Sequence, residues 1–177
     1  MPSACVTRPF PIDPFIKEPD NDPAMMVMAR DTDYRGLLSQ VVGKRVFIWT
    51  CNTCARLCNG IGGQEAADRL ADALRADGVD VVGTAHTGAS CILPKVEKGM
   101  PELDCDVVVS LTCDNGAANA GAVSGLPVIN PILTFGPGYK DADGGVHLRT
   151  IVCGKVVVDE TLEEAAERMD CAAEPYV

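Results

Sequence analysis

Residues 45–50 (RVFIWT) and 106–111 (DVVVSL) are strand-length runs in which apolar side chains follow one another instead of alternating with polar ones. A strand written this way has to be covered on both faces, which is the position of a central strand in a parallel sheet flanked by helices. The segments between them agree. Tyr34, Leu37, Leu38, Val41 and Val42 recur at helical spacing before Gly43, and Ala66, Ala67, Leu70, Ala73 and Leu74 line one face of a predicted helix over 64–77 before Gly78. Further strands are predicted over 79–85 (VDVVGTA) and 127–132 (PVINPI), with a short helix over 92–98 and a small-residue helix over 117–123. Strand–helix alternation with short links predicts right-handed crossovers. The expected fold class is therefore α/β, a single Rossmann-like domain with a parallel sheet of about four strands and flanking helices.

The ends of the chain read differently. Residues 1–30 are proline-rich with little periodicity and are expected to form an extended N-terminal arm. Met25, Met26 and Met28 fit either a contact patch or the core side of a short strand. Residues 31–140 form the expected α/β cysteine-bearing domain. Residues 141–177 form a C-terminal extension, with a small hairpin over 147–153 and 155–158 and a helix over 162–169. The segment 134–139 (TFGPGY) is turn-rich and reads as a plain loop, with rimming the site or meeting a partner as the alternative.

At 177 residues the chain suits one domain with a real core, and 47% apolar against 5% aromatic residues favours small helix–sheet contacts. A net charge of −10 leaves no basic footprint for nucleic acid and suits solubility or a basic protein partner. No apolar run reaches the roughly 20 residues of a membrane helix, and the opening MPSACVTRPFPIDPF lacks a signal-peptide core. A cytoplasmic location is expected.

Nine cysteines in such a chain point to metal or redox work, because disulfides are rare in a reducing compartment. Cys5, Cys105 and Cys171 read as ordinary small apolar residues. The others are placed by the strands. Cys51 follows the first strand and Cys113 the third. Cys91 lies in the loop after the second, and Cys54 and Cys58 lie in the loop and helix entry after the first. Parallel strands open their carboxyl ends onto one edge, where open α/β sheets bind ligands. Cys51, Cys54, Cys58, Cys91 and Cys113 are thus the candidate metal ligands. The Cys51-x-x-Cys54-x-x-x-Cys58 spacing lets two thiolates reach one centre from a single turn. One tight group joined by two remote cysteines favours a bulky iron–sulfur cluster over zinc, whose sites usually pair two tight Cys motifs; zinc and no metal stay open alternatives. A thioredoxin-type pair needs neither Cys91 nor Cys113.

The run 59–63 (NGIGG) departs from both G-x-G-x-x-G and the P-loop, so a tight strand-to-helix turn is the favoured reading. Gly60, Gly62 and Gly63 are nonetheless the candidate cofactor-binding residues, through amides that donate to cysteine sulfur. His86 and His147 carry no motif, and no nucleophile–base constellation is present, so no catalytic residue is assigned.

The stretches CNTCARLCNGIGG (51–63), the single Cys91, LTCDNGAANA (111–120) and PVINPILTFGPG (127–138) resemble the methylenetetrahydrofolate reductase C-terminal domain family, which includes the small iron–sulfur subunit of acetogen-type reductases. The likeness covers roughly 34–139. It implies an accessory electron-transfer subunit of a one-carbon enzyme complex, carrying one [4Fe-4S] cluster and docked on a larger flavin-containing barrel-type reductase subunit. The ligands it implies are drawn from Cys51, Cys54, Cys58, Cys91 and Cys113, with one of the five spare. The family's second cysteine motif is degenerate here: 152–161 (VCGKVVVDET) keeps Cys153 and has Val157 where a cysteine is expected. No second cluster is expected. The competing expectations are a structural zinc-binding subunit of a multi-subunit assembly and a small α/β enzyme binding an organic cofactor at the same edge.

Overall fold

The computed structural model describes residues 25–153 and 155–177. The parallel sheet is built from β2 (Arg45–Cys51), β3 (Asp80–Thr87), β4 (Val107–Leu111) and β5 (Val128–Ile129), in the order β3-β2-β4-β5. Its central strands β2 and β4 are buried almost from end to end, as their unbroken apolar runs require. Helices α3 (Gln64–Ala76), α4 (Leu93–Gly99) and α5 (Asp114–Ser124) connect the strands. Leu70 and Leu74 of α3 join Ile48 and Val109 in one core, while Val96 of α4 and Ala120 of α5 pack with Phe47 and Trp49 in another.

The expected single Rossmann-like sheet with a small tail hairpin needs correction. A second, antiparallel sheet of four strands stands beside the first, in the order β1-β6-β7-β8. It combines β1 (Met25–Arg30), β6 (Ile132–Lys140), β7 (Val146–Val152) and β8 (Lys155–Thr161). The last part of the expected arm is thus a strand paired with β6, and Met25 and Met28 are core residues; residues 1–24 lie outside the described residues. The boundary expected after residue 140 falls between two paired strands of this sheet.

The segment 134–139, read as a loop, lies within β6. Its glycines have strand reasons. A Cβ on Gly138 would run into the His147 carbonyl and Val27, so glycine permits the close cross-strand approach, and Gly136, at φ 151°, flanks the register shift between Val27 and Met28. Helix α1 (Tyr34–Val41) follows β1 and is N-capped by Asp33, whose side chain accepts from the Gly36 amide. Helix α6 (Leu162–Arg168) closes the chain, opened by a reciprocal Thr161–Glu164 capping box. Among the described residues no helix is long and apolar enough to cross a membrane.

Candidate metal centre

The rim at the carboxyl ends of the parallel strands is tied together before any thiol is considered. Thr50, wholly buried at the end of β2, donates to the Leu111 carbonyl of β4 at 3.1 Å and accepts from the Gly63 amide at 2.7 Å. The Asn52 amide donates to the Thr87 carbonyl of β3 at 2.9 Å. Ser90 is a second hub. Its hydroxyl accepts from the buried Trp49 indole at 2.8 Å and donates to the Gly116 carbonyl, and its own carbonyl accepts from Asn119. These bonds fix the loop that presents Cys91 against β2 and α5. Gly116 has to be glycine there, since a Cβ would come within 2.9 Å of both Thr112 and Ser90.

Four of the five predicted thiols meet on this rim. Cys113 sits at the N-cap of α5, nearly buried. Burial pushes its pKa up, the Gly116 amide pulls it back, and the charges of Cys91, Cys51 and Cys54 push it up further. Those three thiols therefore lie within electrostatic reach of Cys113. Cys51 lies 3.1 Å from the Thr53 hydroxyl, which itself donates to the Gly88 carbonyl. Cys54 opens the short helix α2 (Cys54–Leu57) and is half-buried, while Cys91 is exposed.

Cys58 stands apart. It is fully buried beyond α2, donates to the Met26 carbonyl at 3.5 Å, and is absent from the groups acting on Cys113. Burial pushes it up to about 12 and the charge of Cys54 adds to this, against a lowering by the Met28 amide and by Lys140, so it is held as a thiol. Cys105 and Cys171 are likewise raised by burial. They pack against the apolar cores, as expected of ordinary residues.

The glycine loop is the tight turn favoured for it, and its amides are not the sulfur donors expected of the candidate cofactor-binding residues. The amides of Gly60, Gly62 and Gly63 donate to the Arg56 carbonyl, the Ala55 carbonyl and the Thr50 hydroxyl, and so not to sulfur. Gly60 and Gly63 take positive φ, and a Cβ on Gly62 would stand 2.8 Å from the Leu111 carbonyl. The loop is a turn that lets α3 close onto the rim. The three glycines also line an open cleft of about 260 Å³ with Arg56 and Arg69, and no cysteine lines it. His86, exposed, bonds Gln64 at 2.6 Å.

Amides outside the glycine loop do reach sulfur: that of Gly116 acts on Cys113, that of Met28 on Cys58, and that of Met26 donates to Cys54 Sγ at 3.4 Å. The sequence signal for this was slight: MMVMAR reads as a strand, but nothing in it says that the strand's free edge meets the cysteine loop.

Among the described residues no three His, Cys, Asp or Glu side chains are gathered tightly enough to hold a single metal ion. Cys51, Cys54, Cys91 and Cys113 thus lie along one rim without forming a single-ion cage. Comparison with family models, with curated proteins and with solved structures returns no match to this chain.

Proposed function

We propose that this chain holds one [4Fe-4S] cluster through Cys51, Cys54, Cys91 and Cys113, and serves as an accessory electron-transfer subunit of a methylenetetrahydrofolate reductase-type, one-carbon enzyme complex. The observation that carries the metal part is the placement of those four thiols at the carboxyl ends of the parallel strands and in the loops that follow them. The partner part rests on the resemblance of the cysteine motifs alone, and names a larger flavin-containing reductase subunit. Such a cluster supplies single-electron transfer when bound.

The chain's own residues account for the rest. Thr50, Ser90 and Trp49 tie the thiol-bearing loops to the strand ends. Cys91, exposed between Ser90 and the exposed Ile92 and Leu93, brings the site to the surface, where an electron partner has to approach. Cys58 is the spare cysteine and is structural.

Anaerobic purification followed by iron and sulfide analysis tests the reading. The expected result is about four irons per chain with a thiolate-to-iron absorbance band. Cys51→Ser, Cys54→Ser, Cys91→Ser and Cys113→Ser each lower the iron content, and Cys58→Ala keeps it. A colourless protein with one zinc per chain would favour the structural zinc subunit instead. Co-purification of an untagged flavoprotein tests the partner.

A further inference from the structure

Strand β1 is an edge strand of its sheet, with β6 on one side and, on the other, an isolated bridge from Arg30 to Ala172. Edge strands carry a row of backbone groups without ladder partners. Across the ladder Met26 faces Pro137, which has no N–H to give. The amide and carbonyl of Met26 instead engage the two cysteines of the α2 turn: the amide donates to Cys54 Sγ at 3.4 Å, and the carbonyl accepts from Cys58 Sγ at 3.5 Å. The Met28 amide, two residues on and so on the same edge, also acts on Cys58. The Cys54–Cys58 turn therefore takes the place of a neighbouring strand, and it clips the antiparallel sheet to the rim of the parallel one.

The two cysteines differ in what this contact does. At Cys58 the sulfur donates to the Met26 carbonyl. At Cys54 the sulfur only accepts. An N–H aimed at a ligand sulfur draws off part of its negative charge and favours the more negative, reduced form of a cluster. Resting on the cluster reading above, we infer that Met26 is a positioning residue of the site, whose backbone amide raises the reduction potential of the cluster through Cys54. The second sheet, which supplies no ligand, would then set the potential at which the first one works.

The test uses the iron-loaded, full-length chain. Met26→Pro deletes the N–H at an outward position of an edge strand, where proline is tolerated, and Met26→Ala shortens the side chain but keeps the N–H. At a fixed applied potential Met26→Pro is expected to hold about tenfold less reduced cluster than Met26→Ala, a midpoint lower by about 59 mV for one electron. Equal midpoints in two iron-loaded variants overturn the inference and leave the cluster reading standing; a wild-type chain without iron overturns both. Should Met26→Pro fail to load, a second arm decides. Wild-type protein labelled with nitrogen-15 methionine is expected to show a nitrogen-15 coupling to the reduced cluster in pulsed paramagnetic resonance, and Met26→Ala, whose amide is then unlabelled, is expected to lose it. A wild-type spectrum without that coupling overturns the inference.

Discussion

The two sheets solve the same packing problem in opposite ways. In the parallel sheet, β2 and β4 are covered on both faces and carry the chemistry at their ends. In the antiparallel sheet the outer hairpin is largely in water, with Ile151, Val152, Val156 and Val157 each more than half exposed. That sheet reaches the candidate site mainly through the backbone of Met26 at its far edge, with the Thr134 hydroxyl accepting from the Asp114 amide beside Cys113. A buried sheet can hold side chains in fixed places, whereas a half-exposed one offers unpaired amides and carbonyls to whatever lies beside it.

The contrast can be broken or sharpened by measurement. The largest effect is expected at Ile48, fully buried in the middle of β2. Ile48→Ala should cost about 3 kcal/mol in chemical denaturation, from lost burial plus a cavity. Next comes Gly62→Ala, which pushes a methyl group to 2.6 Å from Ala55 Cβ and 2.8 Å from the Leu111 carbonyl. A loss of about 2 kcal/mol and weaker iron loading are expected, because the loop has to back away from the rim. Thr161→Ala, which removes the cap of α6 on the antiparallel side, should cost about 1 kcal/mol. Val156→Thr, exposed on the hairpin, should change stability by less than about 0.5 kcal/mol. If Val156→Thr cost as much as Ile48→Ala, the hairpin would have to be buried in solution, and the contrast between the sheets would fail.

A pH titration of the metal-free protein probes the seam between them. The folded state keeps the Cys58 proton up to about pH 12, while an unfolded thiol releases it near pH 9. The stability from this group is fully present below about pH 9 and is lost as the pH rises towards 12, because over that window the folded state binds more protons than the unfolded one. Tyr34 and Tyr176, both pushed up to about 12 by burial first, add to the slope only above their ordinary value of 10. Cys58→Ala should therefore make the fall in stability between pH 9 and 10 shallower without removing it, since Cys113 is raised as well. A slope unchanged by Cys58→Ala would mean that the seam does not shield this thiol.

The parallel half was legible from the residues because each of its signals is local. Apolar runs mark buried strands, glycines stop helices, and cysteines just after strands converge because parallel strands end on one side. The antiparallel half was not. Gly136, Pro137 and Gly138 carry turn chemistry, yet in β6 they serve a bulge, an outward edge and a close strand approach, needs set by β1 and β7 rather than by their neighbours in the chain. The site shows the same divide. Spacing singled out five candidate thiols, but only the packing of β1 on α2 sets Cys58 against the Met26 carbonyl and turns the Met26 amide towards Cys54.

The register that pairs Met28 with Thr134 has a kinetic consequence. During synthesis β1 leaves the ribosome first and has to wait, its partner strand unmade, until nearly the whole parallel sheet has followed it out. Closing so long a loop is slow, so the helix-linked strands assemble first and the opening strand docks late. The last contact to form would then be the one that seats this strand over Cys54 and Cys58, after the thiol-bearing loops are already in place.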